Sequence, residues 1–569
     1  MAAFTLIPKK IADSAYRQKI VENFLQRGFS DPEMVDAGNY SLLCFGGIAN
    51  GKPSTLWKDE KGNFLFIAGN FIEKGKLNRK GSAELFTKIR NGKLEASEIT
   101  GTFCIITYDS EKKNLNILHD ANGVFRFYTD RVYQTVSSSF SVLVKAADKS
   151  DFDYDIIRFN LIFGFNPAYK TWVKSVSRVL KPGHLPEDIA YSRIPEDTRK
   201  WVFKSEKSAV EAAVSLLESR IRIYGIEGES LQKYLGLSSG YDSRLMAALL
   251  NKAGLDNLSF FTFNKPGAAD PVIALEIARL SRLPLIKKET GRVMEYAEQE
   301  RVYQNAFRFF DGHAVTMMQY SKPDYTAEFR REIFDAGSLH LSGVGGELFR
   351  NYNFDHKVTT SVDSWVGAYL LNGLKLVDYV REDKADAVME LFEAYLKEEL
   401  GVFEKINFAE RKRYYGELFL RDWHSVRNSV ESQYSFYYTP FTDQAVINLS
   451  YGTAKYHGTG GRFEGQLINA IHPALASIQS GYGYPLNQYP KKAAFMNGLR
   501  AFIKRPVMIP FQKTVQRNHK YQPTPFEMNQ LAILDALDLG VNRDTFLSSS
   551  KRVEPFLATA YSLNQLINL

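Results

Sequence analysis

Cysteine is nearly absent from this chain. Cys44 and Cys104 are the two thiols in 569 residues, which excludes a disulfide framework and a zinc site built from cysteine alone. Long apolar runs are missing as well. No stretch of about 18 apolar residues occurs, so no membrane span is expected. The opening MAAFTLIPKKIADSAYRQKI has no apolar segment of the kind that directs secretion. Few thiols and no targeting signal together lead to the expectation of a cytoplasmic protein. Acidic residues are missing from one region. Between Glu464 and Glu527 there is neither Asp nor Glu, while Lys491, Lys492, Arg500, Lys504, Arg505, Lys513, Arg517 and Lys520 lie there. Those eight charges equal the net charge of +8, so the rest of the chain is formally neutral. A local basic segment suits an anionic partner such as nucleotide phosphates, an acidic peptide or nucleic acid. A solvated surface accounts for it as well. What remains is ordinary for a globular protein, with 44% apolar and 24% charged residues. The length suggests two to four domains, each large enough for its own core.

The most informative stretch is YLGLSSGYDSRLMAALL, Tyr234 to Leu250. It reads as a short apolar strand (Tyr234 to Leu237), a small-residue turn (Ser238 to Gly240) and an apolar helix from about Ser243. Small residues between a strand and a helix let backbone N–H groups approach an anion, and the helix N-terminus adds partial positive charge. Asp242 does not belong in a plain anion cradle. A carboxylate beside bound phosphates is best explained by Mg²⁺ between them. Tyr241 and Asp242 exclude a Walker A loop, which needs Gly-Lys-Ser/Thr. The plain alternative is a capped turn with Asp242 or Ser243 as the cap.

Ser238-Ser239-Gly240-Tyr241-Asp242-Ser243 resembles the S-G-G-x-D-S pyrophosphate loop of the PP-loop ATP pyrophosphatases, with Ser239 in place of a glycine. Such enzymes cleave ATP between the α and β phosphates. A second stretch, HLSGVGGELFRNY from His340, again runs strand, glycine turn, carboxylate. It is similar to the S-G-x-G-[S/G]-D segment of asparagine synthetases, with Ser342, Gly343, Gly345 and Glu347 at matching places. Either Glu347 replaces the aspartate or the segment is one residue shorter. The resemblance implies ATP contacts from Leu237, Ser238, Ser239, Gly240, Tyr241, Asp242, Ser243, Phe263, Ser342, Gly343 and Gly345. It also implies Mg²⁺ held by Asp242 and Glu347. Val344 stands where asparagine synthetases have Glu and β-lactam synthetases Tyr. Valine has no titratable group, so the acceptor amine must be activated otherwise.

Other segments extend the resemblance. Gly101, Phe103, Asp109, Asp120, Gly123 and Tyr128 match the class II glutamine amidotransferase pattern, and Val136 to Phe140 looks like its F-A-S-E run. The expected chemistry is gone. Ala2 follows Met1 where a cysteine nucleophile would stand, and Ala68-Gly69-Asn70 takes the place of the substrate-gripping N-G-E. Cys44 and Cys104 then read as small core residues. Leu180, Pro182, Gly183 and His184 match the family's connector, with His184 structural. Pro440, Phe441 and Asp443 match its P-F-x-D helix entry. The family's adenylation lysine has no counterpart between Lys455 and Lys491, so Lys491 or Lys492 is the candidate, with Lys504 further off.

From about Ser205 the pattern turns α/β. LSFFTF (Leu258 to Phe263) reads as a buried parallel strand, Asp270 to Arg282 as a helix capped by Asp270, and Leu283 to Ile286 as the next strand. Most of the chain, in its two-domain order, resembles the asparagine synthetase family. The expected architecture is an α+β, Ntn-type β-sandwich domain over 1–150, a connector over 151–205, and an α/β PP-loop domain over 206–569. That last domain carries a doubly wound parallel sheet and a helical C-terminal part. The implied function is an ATP-dependent amide-bond-forming ligase, releasing AMP and pyrophosphate, with ATP and Mg²⁺ as cofactors. Its amine does not come from glutamine, and the closure is intramolecular if the chain follows β-lactam synthetases or lasso peptide cyclases. The substrate is a small-molecule or peptide carboxylate, and the basic segment 491–520 suits an acidic precursor peptide. Amidation with free ammonia, PP-loop chemistry on tRNA and a non-catalytic nucleotide-binding role stay open. The amidotransferase-like N-terminal half disfavours nucleic acid.

Overall fold

A computed structural model describes residues 3–11, 15–48, 55–74, 76–77, 82–147, 151–195, 199–227, 231–264, 267–290, 295–313, 327–334, 338–351, 359–371, 373–503, 521–548 and 552–567. The strands of the first two hundred residues are β1 (Ala3–Pro8), β2 (Glu33–Ala37), β3 (Tyr40–Phe45), β4 (Leu56–Lys58), β5 (Phe64–Glu73), β6 (Lys76–Leu77), β7 (Ile99–Asp109), β8 (Asn114–His119), β9 (Tyr128–Asp130), β10 (Thr135–Ser137), β11 (Val176–Arg178) and β12 (Ile189–Arg193). They form two sheets, in the orders β11-β9-β10-β1-β3-β2 and β12-β8-β7-β5-β4, with β6 on β5. Only β12 on β8 is parallel among these pairs.

The sheets stack through alternate side chains. Phe4, Leu6, Leu42 and Cys44 of the first meet Phe64, Phe66, Ala68, Cys104 and Ile106 of the second. The opposite faces are covered too. Ala3, Ile7, Leu43 and Phe45 pack under helices Ala15–Gln26 and Phe140–Ala146, and Leu65, Ile67, Phe103 and Ile105 pack under helix Ala83–Arg90. A strand buried on both faces has no reason to alternate, which is why these segments read as continuous apolar runs. Both cysteines are fully buried here, and burial pushes their thiols well above the usual range. The stretch 151–205 does more than connect, because β11 and β12 form one edge of each sheet. The run from Val132 to Val136 is mostly a turn, and only β10 is strand.

Beyond residue 205 lie β13 (Lys233–Gly236), β14 (Leu258–Asn264), β15 (Leu285–Glu289), β16 (Leu339–Leu341), the short pair β17 (Thr360–Ser361) and β18 (Lys405–Ile406), and β19 (Phe436–Tyr438). Five of them make a sheet in the order β15-β14-β13-β16-β19 with every neighbour parallel. The order runs outward from β13 in both directions. Between β13 and β16 the chain reverses direction across the sheet, and open α/β sheets bind ligands at the carboxyl ends of the strands at such a switch point. Helices Glu206–Glu227, Tyr241–Ala253 and Arg462–Ile471 share one apolar cluster with this sheet. The helices between Val362 and Glu431, and from Pro525 to Ile567, join the cluster beneath the first sheet instead. Among the described residues no helix is long and apolar enough to cross a membrane.

One buried ion pair behind the parallel sheet carries a pH prediction. Glu431, 3% exposed, receives two hydrogen bonds from Arg330, at 2.6 and 2.8 Å. Burial raises its carboxyl, but Arg330 and neighbouring charges win and hold it down at about 2, against 4.5 for a free glutamate. A folded value below the unfolded one gives stability that is complete above pH 4.5 and lost as pH falls toward 2. Glu431→Gln is expected to flatten the melting-temperature profile across that window, removing about 3 kcal/mol of acid sensitivity. Parallel profiles for the two proteins would show that Arg330 has another counter-charge.

Candidate active site

The loops following β13 and β16 pack directly on each other at the reversal point. A Cβ on Gly343 would lie 2.7 Å from the Asp242 carbonyl and 2.9 Å from the Ser243 nitrogen, and one on Gly346 would strike the Asp242 carboxylate. These glycines are therefore required by close backbone approach rather than by turn conformation. Gly343→Ala is expected to push the loops apart, costing about 2 kcal/mol from overpacking. Nucleotide binding should weaken with it. An alanine variant with unchanged melting temperature would mean the loops have room to separate.

The first loop starts one residue earlier than its apolar pattern suggests. Leu237 lies past the strand, its N–H bonded to the Phe261 carbonyl at 2.8 Å. The helix begins at Tyr241, with Gly240 as its cap and no side chain capping it. Asp242 thus sits in the first turn. The donors expected to cradle phosphate are engaged internally. The Ser238 N–H meets Ser243 Oγ at 3.1 Å, the Gly240 N–H meets Ser238 Oγ at 3.3 Å, and the Ser239 N–H meets Asp270 Oδ1 at 2.7 Å. Asp270 is not the cap of its helix, a place taken by Ala269. Its carboxylate reaches across to the loop and itself occupies the Ser239 donor.

Asp242 and Glu347 come together around a residue that motif reading passed over. Nη2 of Arg350 binds both oxygens of Asp242 and lies 3.8 Å from Glu347 Oε1. Its Nε is 2.9 Å from Glu464 Oε2. Glu464 is fully buried, and neither of its oxygens has a hydrogen-bond partner of good geometry. Its carboxyl is pushed well above the usual range, by burial first and then by the Asp242 charge. The Asp242 carboxyl is pushed up to about 6, by burial and the Glu347 charge against the pull of Arg350. Glu347 is held below its ordinary value by Arg350 and His424, against burial. Tyr415 donates to Glu347 Oε2 at 3.0 Å, and burial keeps that phenol protonated. Tyr415 and His424 come from a π-helical stretch, Tyr414–His424. Such stretches widen the turn and shift side chains out of α-helical register, often at functional sites.

Three tyrosines wall the other side. The Arg350 guanidinium lies 5.7 Å from the Tyr241 ring centroid, and that ring packs on Tyr482 at 5.1 Å. Tyr241 and Tyr484 hydroxyls are 3.3 Å apart. Beneath the second loop, buried Lys412 donates to the carbonyls of Leu348 (3.1 Å) and Arg350 (2.6 Å). Burial and the Arg350 charge bring its ammonium down to about 7. It pins the turn that carries Glu347 and Arg350.

The other expected residues are spread more widely. Ser342 and Val344 line the second loop, with the Val344 carbonyl accepting from Thr439 Oγ1 at 2.6 Å. Phe263 is partly exposed at the carboxyl end of β14. Lys491 and Lys492 are exposed at the start of helix Lys491–Ile503, and the structure does not join them to the carboxylates. Lys504 and the remainder of the basic segment to 520 lie outside the described residues. His184 accepts the Leu180 N–H at 3.1 Å, as a structural histidine would. Arg350, Glu464, Tyr415 and Lys412 carry no motif signal in the sequence, and Asp270 reads there only as a helix cap. A basic residue three places after Glu347 was the one local signal.

A two-carboxylate magnesium site does not fit this arrangement. Mg²⁺ needs oxygens at about 2.1 Å in octahedral array, and the Asp242 oxygens that would serve are both turned onto Arg350. Among the described residues no group of three or more His, Cys, Asp or Glu has metal-holding geometry. In this structure Asp242 and Glu347, the carboxylates expected to hold Mg²⁺, are paired with Arg350. No protein-family model and no curated protein sequence matches the chain.

Proposed function

We propose that this protein is an ATP-dependent, AMP-forming amide ligase of asparagine synthetase-like architecture. Its N-terminal region is then an amidotransferase-like (Ntn-type) sandwich without glutaminase chemistry, and its parallel sheet a PP-loop domain. The observation that carries the reading is the meeting of the loops after β13 and β16 at the sheet's reversal point, with Asp242, Glu347 and Arg350 between them. The helix–sheet–sheet–helix layering of the first part supports it. So does the burial of both cysteines, which leaves no thiol to release ammonia from glutamine.

In this reading a substrate carboxylate attacks the α-phosphate of ATP, pyrophosphate leaves, and an amine then displaces AMP. The residues supply placement and charge. The loop 238–243 and the helix start behind it present donors to the pyrophosphate. Arg350 faces the negative charge that builds on the phosphates, and its effect is enhanced by the low-dielectric surroundings. Tyr241, Tyr482 and Tyr484 limit water. Val344 offers no proton acceptor, so the amine reaches the reaction as a neutral nucleophile or is deprotonated by its own substrate. A peptide or small-molecule carboxylate is the substrate class, and the basic stretch from Lys491 suits an acidic precursor peptide.

A second reading has its own support. Asp270 on the Ser239 N–H and Arg350 on Asp242 satisfy the anion and cation places from within. A nucleotide-binding protein without turnover would tolerate that. Product analysis separates the two. Purified protein with ATP and candidate precursor peptides should form AMP and pyrophosphate in a substrate-dependent way, without consuming glutamine. A substrate that loses one water would report internal cyclisation. Nucleotide binding with no product would favour the second reading and end the first.

A further inference from the structure

We propose that Arg350 is the resident cation of this site, standing where a divalent ion would stand, so that the nucleotide binds without an obligate metal. The proposal rests on the nucleotide-site reading above and adds how the phosphate charge is met.

Four observations carry it. First, a single guanidinium nitrogen engages both oxygens of Asp242, the carboxylate otherwise best placed for a metal. Second, the same nitrogen approaches Glu347, whose other oxygen is committed to Tyr415. Both carboxylates would have to be taken from Arg350 before an ion could use them together. Third, fully buried Glu464 places Oε2 2.9 Å from Arg350 Nε and also reaches Asp242. It anchors the far side of the guanidinium. Nε and Nη2 are both engaged by carboxyl groups, which fixes the guanidinium in one place. Fourth, Arg350 is nearly buried while Asp242 and Glu347 keep about a quarter of their surface, at 10%, 26% and 28% exposure. The guanidinium thus sits beneath the two carboxylates, shielded from solvent.

Arginine suits this place chemically. It stays protonated at every accessible pH, and its planar donors match phosphate oxygens as well as carboxylates. Tyr241 stacks near it and the Tyr482 hydroxyl also faces it, which fixes the plane of the group. A magnesium ion gives two charges and several exchangeable waters. An arginine gives one charge in a fixed position.

The test uses the full chain and a fluorescent ATP analogue, titrated in excess Mg²⁺ and again in EDTA. Binding in EDTA is expected within about threefold of that in Mg²⁺. Arg350→Met is expected to weaken binding in EDTA by about thirtyfold or more and to make it depend on Mg²⁺, because Asp242 and Glu347 are then freed. Arg350→Lys should fall between, keeping charge but losing the two-pronged geometry. If Arg350→Met fails to fold by circular dichroism, the parent protein in EDTA and the lysine variant decide the matter. Loss of parental binding in EDTA, with tight binding in Mg²⁺, would overturn the proposal while leaving the nucleotide reading intact. Absence of binding under both conditions would overturn both. A direct check is Mn²⁺ paramagnetic resonance. The parent should leave the free-ion signal undiminished, and uptake of one ion that Asp242→Asn abolishes would also sink the idea.

Discussion

Asp242→Asn is expected to lower substrate-dependent pyrophosphate release by about a thousandfold, the scale of losing one preorganised electrostatic group, while the protein remains folded. The substitution keeps shape and removes charge. Arg350 loses the carboxylate that aims its Nη2 at the crevice and is left with Glu347 and Glu464. Its direction then changes, and so does the field at the phosphates. Stability should change little at neutral pH. The Asp242 carboxyl titrates at about 6 in the folded protein against 3.8 ordinarily. A folded value above the unfolded one means that this group favours the folded state below about pH 4 and withdraws that support as pH rises through 6. At pH 7 relief of a buried charge offsets loss of the ion pair. The parent's rate should also fall as pH drops below 6, when Asp242 takes up its proton, and the variant's residual rate should lack that limb. A variant within tenfold of the parent would remove Asp242 from the chemistry.

The same residue shows what could and could not be read from the chain. Strand, small-residue turn and carboxylate recur locally in 234–250 and 340–352, so two loops of the site were legible. Their meeting required the sheet order, in which β13 and β16 become neighbours. Three-residue strands such as β9, β10 and β11 are too short for periodicity to reveal. Arg350 has one local signal, its place three residues after Glu347, because Asp242 and Glu464 reach it from distant segments. Lys491 and Lys492 are the first lysines beyond the place where the resemblance implies one, and order along the chain does not give position in the fold. The π-helical stretch was illegible for another reason. Tyr414, Tyr415, Gly416, Leu418, Leu420, Arg421, Asp422 and His424 are all buried, polar residues among them, so no single apolar stripe marks the stretch.

Asp422 carries the largest expected structural effect. Fully buried in that stretch, it accepts from Arg178 Nη1 at 2.8 Å, from Arg421 Nε and Nη2 at 2.8 Å each, and from the Tyr395 hydroxyl at 2.6 Å. Arg178 belongs to β11 at the edge of the first sheet, so this carboxylate ties the N-terminal sheets to the C-terminal helices. Arg421 and Arg178 hold it below the usual carboxylate range despite complete burial. Removing it leaves buried Arg178 without a counter-charge beside Arg421, which keeps only Glu399. Asp422→Ala is therefore expected to cost about 3–5 kcal/mol, the range for breaking a buried pair from one side. In urea the midpoint should fall with little change of slope in the transition that reports the N-terminal sheets. Arg178→Met should recover part of the loss in the Asp422→Ala background, because it removes one stranded charge. That coupling separates a charge effect from a simple cavity, which no second substitution of this kind would repair. A loss under about 1 kcal/mol, or strictly additive losses, would mean that backbone carbonyls already satisfy Arg178 and that the joint rests on apolar packing alone. The Gly123 and Arg421 carbonyls do accept from its Nη2, at 2.5 and 3.1 Å. They leave the charge itself unmatched, and an unmatched buried charge is the costlier of the two defects.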